Sequence, residues 1–440
     1  MTIDSSWIAC FKEEAPAAFR PTPPFSPTAV FCDGQIKLMP AAIEGVVSWE
    51  DYIQRQFARL IQRYLSKGVS CVILAFDDYN HVPAAKSMTQ VKRRRHLPPV
   101  EFNPRDALPP CVPQGERWQQ CISNRTFKSK VIQLVIDQLT RSMLDLGEGQ
   151  SLIVDYQGPP VRYLRGGESM TLSNFWPLGE ADVKFTRYAD MFETLQVDSV
   201  DGDSIPIALL NLEQGGTGRI SILRLKTNLK EDKEEQAAAK KLKLEAGAAS
   251  ADPATKRQAR TYEYVDVGLL YDALRYTVIP QCTGRAPITS HAGHEMAMLV
   301  CLIGLSGTDF TRGLPLVSGK TLHDYLPLLW SRLARSFDPG TRQMVPGPAL
   351  DLVVSAIYQT KFERHAGPTG AALEQTLACI RGSEKLSSKT RDRLPSRETV
   401  HCTVRNVNWL LRYWQFSDYP DPVQPEFGFA RDKRGVRFEA

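Results

Sequence analysis

The sequence predicts an α/β protein: a mostly parallel central sheet flanked by helices, with a mainly helical C-terminal region. Three observations predict it. Short apolar runs of strand length, TAVFC, VSCVILAF and SLIVDY, alternate with stretches whose apolar residues recur at helical spacing. The first two of these runs deliver acids at the same end, which is where open α/β sheets bind ligands. Past residue 320 the strand-like runs give way to helical patterns and loops. The organisation expected is an N-terminal extension over 1–27, an α/β domain over 28–320 and a mainly helical region over 321–440.

Taken in order, residues 11–27 are rich in proline and read as an irregular surface segment. Thr28 to Cys32 is a buried-type strand that ends on Asp33. Ser48 caps a helix whose residues Tyr52, Ile53, Phe57, Leu60, Ile61, Tyr64 and Leu65 form one apolar stripe, closed by Gly68. Val69 to Phe76 is the second strand and ends on Asp77 and Asp78. The stretch after it is strongly basic, with Lys86, Lys92, Arg93, Arg94 and Arg95. Such a run is a solvated face, a localisation signal or a phosphate-gripping element, and its position beside the acids favours the last.

A long helix is expected from Arg125 to Leu146, and Ser151 to Tyr156 reads as a third buried strand. Glu180 and Asp182 stand two residues apart at the start of a further helix. Asp201 and Asp203 repeat that spacing at the end of a strand, and IPIALL beyond them reads as another buried strand. Acids in a first turn also complement the helix dipole, and Asp-Gly is a common hairpin turn, so each pair has an ordinary reading too. Together they offer the oxygen donors that Mg²⁺ prefers. Lys226 to Arg260 is dense in charge and alanine and poor in apolar residues, which predicts a disordered insertion. A strand and helix follow in TYEYVDVGLLYDALR, and then an apolar helix in HEMAMLVCLIGLSGTDF that leads to Asp309.

Composition bounds the function. Hydrophobic content of 42% and charged content of 23% are ordinary for a globular chain, and the formal net charge is +5. Acids concentrated in one pocket leave the remaining surface more basic than that total, which suits a polyanionic partner. The nine cysteines show no CxxC pair or zinc spacing, and no window reaches transmembrane length or looks like a signal segment. The expectation is an intracellular protein, nuclear or cytoplasmic, without a membrane partner.

In this order, AVFCD, FDD, GEADVKF, SVDGDSI and LIGLSGTDF resemble the motif series of flap endonuclease and XPG-like 5′ nucleases, members of the PIN-like nuclease superfamily. GEADVKF and GTDFTRGLP are also similar to motifs of the 5′-3′ exoribonucleases. The resemblance spans short islands between Thr28 and Lys320. It implies a PIN-like fold and a two-Mg²⁺ phosphodiesterase, with Mn²⁺ able to replace Mg²⁺. Asp33, Asp77, Glu180 and Asp182 would surround one metal; Asp201, Asp203 and Asp309 would complete the second site, with Asp182 between the two. Lys86 and Arg93 correspond to the family's basic pair beside the scissile phosphate, with Lys92, Arg94 and Arg95 as further nucleic-acid contacts. The implied partner is nucleic acid, a DNA flap or single-stranded RNA or DNA. The alternatives are an exoribonuclease-like RNA nuclease and a non-catalytic nucleic-acid-binding scaffold. Three departures stand out: Asp78 occupies a usual glycine position, about thirty residues precede the first strand, and FTRGLPLVSGKTLHDYL lacks the glycine-rich hairpin that grips duplex DNA.

Overall fold

The computed structural model describes residues 5–38, 45–78, 98, 100–175, 178–199, 202–225, 262–283, 293–308, 311, 313–415, 429–432 and 435–438. Lys86, Lys92, Arg93, Arg94, Arg95, Asp201, Asp309 and the charged insertion lie outside these residues.

A nine-stranded sheet organises the chain: β1 (Phe19–Arg20), β2 (Ala29–Asp33), β3 (Cys71–Ala75), β4 (Ser151–Asp155), β5 (Val161–Tyr163), β6 (Ser169–Thr171), β7 (Thr194–Asp198), β8 (Arg219–Leu225) and β9 (Tyr262–Asp266). Their spatial order is β1-β9-β8-β7-β2-β3-β4-β5-β6. The five central strands, β8-β7-β2-β3-β4, are parallel, whereas β9 and β1 on one side and β5 and β6 on the other are antiparallel. The sheet is therefore mixed, with a parallel centre. Helices on both faces explain why β2, β3, β4 and β7 are buried along their whole length and read as continuous apolar runs.

The period-2 alternation of each strand divides the core in two. Phe31, Ile73, Ile153 and Val197 join one cluster, while Val30, Val72, Leu74 and Leu152 join the other. The second cluster is closed by the helical run from Trp49 to Leu65, which contains a wide π-type turn at Gln54–Ala58, and by the helices Gly115–Ser123 and Arg125–Gln138. Ser48 caps the first of these as expected, its hydroxyl accepting from the Asp51 amide. The first cluster extends from the sheet through the helices Ser204–Glu213, Glu295–Ser306, Leu326–Ser336, Pro348–Lys361 and Arg397–Gln415. The C-terminal region is mainly helical, with two small hairpins, Phe337–Asp338 with Gln343–Met344 and Phe429–Asp432 with Gly435–Phe438. Among the described residues no helix is long and apolar enough to cross a membrane.

Three local expectations are corrected. IPIALL is helical, not a strand: Ser204 to Leu210 are all buried because the helix lies between other elements, and an all-apolar run carries no period to separate the two states. Pro206 fits there because first-turn amides need no intrahelical partner. The N-terminal extension is packed, not irregular, up to residue 20. The helix Ser5–Glu14 buries Trp7 and Phe11, the Trp7 indole donates to the Ser306 hydroxyl at 3.0 Å, and β1 pairs with β9. The strand expected to reach Asp201 ends at Asp198.

Candidate functional site

The connections place a topological switch point between β2 and β7. From β2 the chain steps outward to β3 and β4, whereas β7 continues on the opposite side to β8. The connections leaving the carboxyl ends there diverge, and this is the place where open α/β sheets bind ligands. The acids expected from the sequence gather along this edge.

Asp33 is the last residue of β2 and is buried. Its Oδ1 accepts from the Gln35 amide at 2.8 Å and from the Ile36 amide at 3.4 Å, which turns the chain at once into the helix Gly34–Leu38. Gly34 is required by a close approach, since a Cβ there would overlap the Phe76 ring. Asp77 and Asp78 follow β3, and both are buried. Asp77 Oδ1 accepts from the Ala181 amide at 3.0 Å, and the Asp78 amide donates to the Gly179 carbonyl at 2.6 Å. These two bonds tie the β3 exit to the turn that carries Glu180 and Asp182. Glu180 stands at the N-cap position of the short helix Ala181–Lys184, and Asp182 is in its first turn. Glu180 is fully buried and Asp182 is 8% exposed. Asp203, 1% exposed, precedes the helix Ser204–Glu213, which packs against Ala181–Lys184.

The expected residues Asp33, Asp77, Glu180, Asp182 and Asp203 thus share one edge of the fold. Among the described residues no group of three or more His, Cys, Asp or Glu side chains stands close enough to hold a metal ion. Asp201, Asp309, Lys86, Lys92, Arg93, Arg94 and Arg95 fall outside that set. The backbone next to Asp309 is closely organised. The Thr308 amide donates to the Thr311 carbonyl at 3.2 Å, and the Thr311 hydroxyl donates to the Gly304 carbonyl at 3.0 Å. Gly313, at φ 59°, lies so close to the Gly307 backbone that a side chain would not fit.

Two further acids on this edge escaped the sequence reading. Asp155 ends β4, in register with Ala75 and through it with Asp33. Lys184 Nζ reaches Asp155 Oδ1 at 3.0 Å, and Arg187 and Tyr188 both donate to Oδ2. Burial pushes the Asp155 carboxyl up, but Lys184 and Arg187 outweigh it and hold the group below its usual range. Lys184 also donates to the Phe76 carbonyl at 2.7 Å and the Asp155 carbonyl at 3.2 Å, so this buried lysine clamps the exits of β3 and β4 together. Asp198, the last residue of β7, points to the opposite sheet face, as its register partner Cys32 does. It accepts from Lys37 Nζ at 3.1 Å and the Tyr64 hydroxyl at 3.0 Å. Burial would lower the Lys37 ammonium, but Asp198 more than compensates and raises it. The rule that singled out Asp33 and Asp77, an acid closing an apolar run, also finds Asp155 in SLIVD.

Comparison with protein-family models gives no match to this chain, and comparison with curated proteins gives none either.

Proposed function

We propose that this protein is a metal-dependent phosphodiesterase of the PIN-like 5′ nuclease type, acting on nucleic acid. One observation carries the reading. Five acids that arrive from four separate stretches of the sequence, Asp33, Asp77, Glu180 with Asp182, and Asp203, are all buried at the carboxyl edge of the parallel strands, beside the β2/β7 switch point.

The donor chemistry fits the group the reading requires. Carboxylate oxygens are hard anionic ligands, the kind Mg²⁺ and Mn²⁺ take. The reading assigns the ions to Asp33, Asp77, Glu180, Asp182 and Asp203 together with Asp201 and Asp309, since no three acids among the described residues stand close enough to hold an ion by themselves. When bound, such an ion supplies Lewis acidity toward the phosphate and its leaving oxygen. The chain's own groups do the rest. The Ala181 amide fixes the orientation of the Asp77 carboxyl, and the Lys184 clamp fixes the spacing of the β3 and β4 exits. Lys86 and Arg93 are proposed to grip the scissile phosphate from the stretch after β3.

The test presents the purified full chain with 5′-flap DNA and single-stranded RNA, end-labelled, in Mg²⁺, Mn²⁺ or EDTA. The expected result is cleavage that needs the metal and is lost in Asp182→Asn and Asp203→Asn variants that melt as the parent does. Cleavage undiminished in the double variant would overturn the proposal.

A further inference from the structure

The helical run from Trp49 to Leu65 carries a feature that its core-facing stripe does not explain. Arg55, Arg59, Arg63 and Lys67 recur every four residues, and Arg59, Arg63 and Lys67 are exposed. No acid occurs in the sequence from Tyr52 to Phe76. Arg55 is held by Asp51 at 2.7 Å, but Arg59, Arg63 and Lys67 make no ion pair among the described residues. On the neighbouring loop Asp145 meets Gln62 only through its backbone carbonyl, at 3.5 Å.

Four residues advance a helix axis by about 6 Å and carry it roughly 40° beyond a full turn, so a stripe at this spacing drifts around the surface. The wider turn at Gln54–Ala58 winds less per residue and offsets part of that drift at its start. The result is a row of cations that winds partly around the exposed side of the run, with Lys67 in the turn just past the helix end. Its Arg55 end lies toward the carboxylate edge, because the run crosses from the carboxyl end of β2 back to the start of β3. The Gln54–Ala58 turn contacts the helix Gly34–Leu38 that follows Asp33.

We propose that this row binds the phosphate backbone of a single-stranded polynucleotide and leads it to the carboxylate edge; the proposal rests on the nucleic-acid reading of that edge. Three features favour this partner. The helical cations repeat about every 6 Å along the axis, a spacing of the order of that between backbone phosphates. Three of the four are arginines, whose planar fork pairs with phosphate oxygens two at a time. No large apolar side chain from residue 49 to 67 is exposed, so the row lacks the anchors that a protein partner or a bilayer surface requires.

The test is fluorescence anisotropy of labelled 20-residue oligouridylate and oligothymidylate with the full chain, in EDTA, from 50 to 200 mM salt. Four phosphate contacts on a single strand give a log-log salt slope of about −2.8. In Arg59→Gln/Arg63→Gln the slope should shrink by about 1.4 and affinity at 0.1 M salt should fall about 25-fold, with unchanged melting. Arg63→Gln/Lys67→Gln, which shares only Arg63 with the first pair, should reproduce both changes. Affinity and slope equal to the parent's in both double variants would overturn the proposal, as would tighter binding to anionic phospholipid vesicles than to either oligonucleotide. Binding is read without cleavage, so the two readings fail separately. A chain that binds with this slope yet never cleaves keeps the row and refutes the nuclease. A chain that cleaves while both double variants bind as the parent does refutes the row alone.

Discussion

Replacing Lys184 with methionine tests how the edge is held together. Lys184 is almost wholly buried, and its ammonium meets the Phe76 carbonyl at 2.7 Å, the Asp155 carbonyl at 3.2 Å and Asp155 Oδ1 at 3.0 Å. Methionine keeps most of the chain length and the apolar packing, so the change isolates the charge. It strips two carbonyls of a donor and leaves Asp155 with Arg187 and Tyr188 alone. Breaking a buried pair on one side costs about 3–5 kcal/mol, and the remaining partners place this case toward the lower end. The variant also has a pH signature. In the parent the Asp155 carboxyl is held below its ordinary value, so its stabilising contribution is present above the unfolded value of 3.8 and is lost as pH falls through the folded one. Removing Lys184 moves the folded value back up and flattens that acid limb. Urea unfolding of both proteins between pH 3 and 7 reads both effects. A loss below 1 kcal/mol at pH 7, with an unchanged acid limb, would refute the clamp.

Glu213 titrates in the opposite sense. It accepts from the Met296 and Ala297 amides at 2.5 and 3.0 Å, and burial pushes its carboxyl up from 4.5 to about 7 despite those bonds. Its folded value lies above the unfolded one, so its contribution is complete below about pH 4.5 and is lost as pH rises through 7, a change on the order of 3 kcal/mol. Glu213→Gln should remove this decline between pH 5 and 8 in thermal or urea unfolding; an identical slope in the variant would count against the assignment. Gly34→Ala forces a methyl into the Phe76 ring and should cost about 1–3 kcal/mol while weakening any metal binding next to Asp33. Unaltered stability would mean that Phe76 yields freely.

The parts of this molecule that could be read from its sequence are those with a boundary written in residue type. β2, β3 and β4 are apolar runs closed by an acid, and all three stand where the sequence puts them, within a residue or two. The Ser48 cap and the Glu180/Asp182 turn carry their own local chemistry and were legible for that reason. What failed lacked such a boundary. Ser204–Glu213 is buried on every side near its start, so no polar face marks its period. The extension before β2 has prolines and few strand signals, and its helix is fixed by Trp7 and Phe11 meeting a distant part of the chain. The partners of Asp155 and Asp198 come from residues 29 and more positions away, a distance that spacing rules do not span.

Cleavage depends on choosing the right substrate, whereas metal binding does not. The direct measurement is therefore a Mn²⁺ titration of the full chain followed by electron paramagnetic resonance, beside the Asp182→Asn variant. The proposed roles expect two ions bound by the parent, with Asp182→Asn weakened at both because the resemblance assigns that carboxylate to both sites. A parent chain that leaves all Mn²⁺ free at millimolar concentration, or that binds it no better than the variant does, would contradict the carboxylate edge as a metal centre.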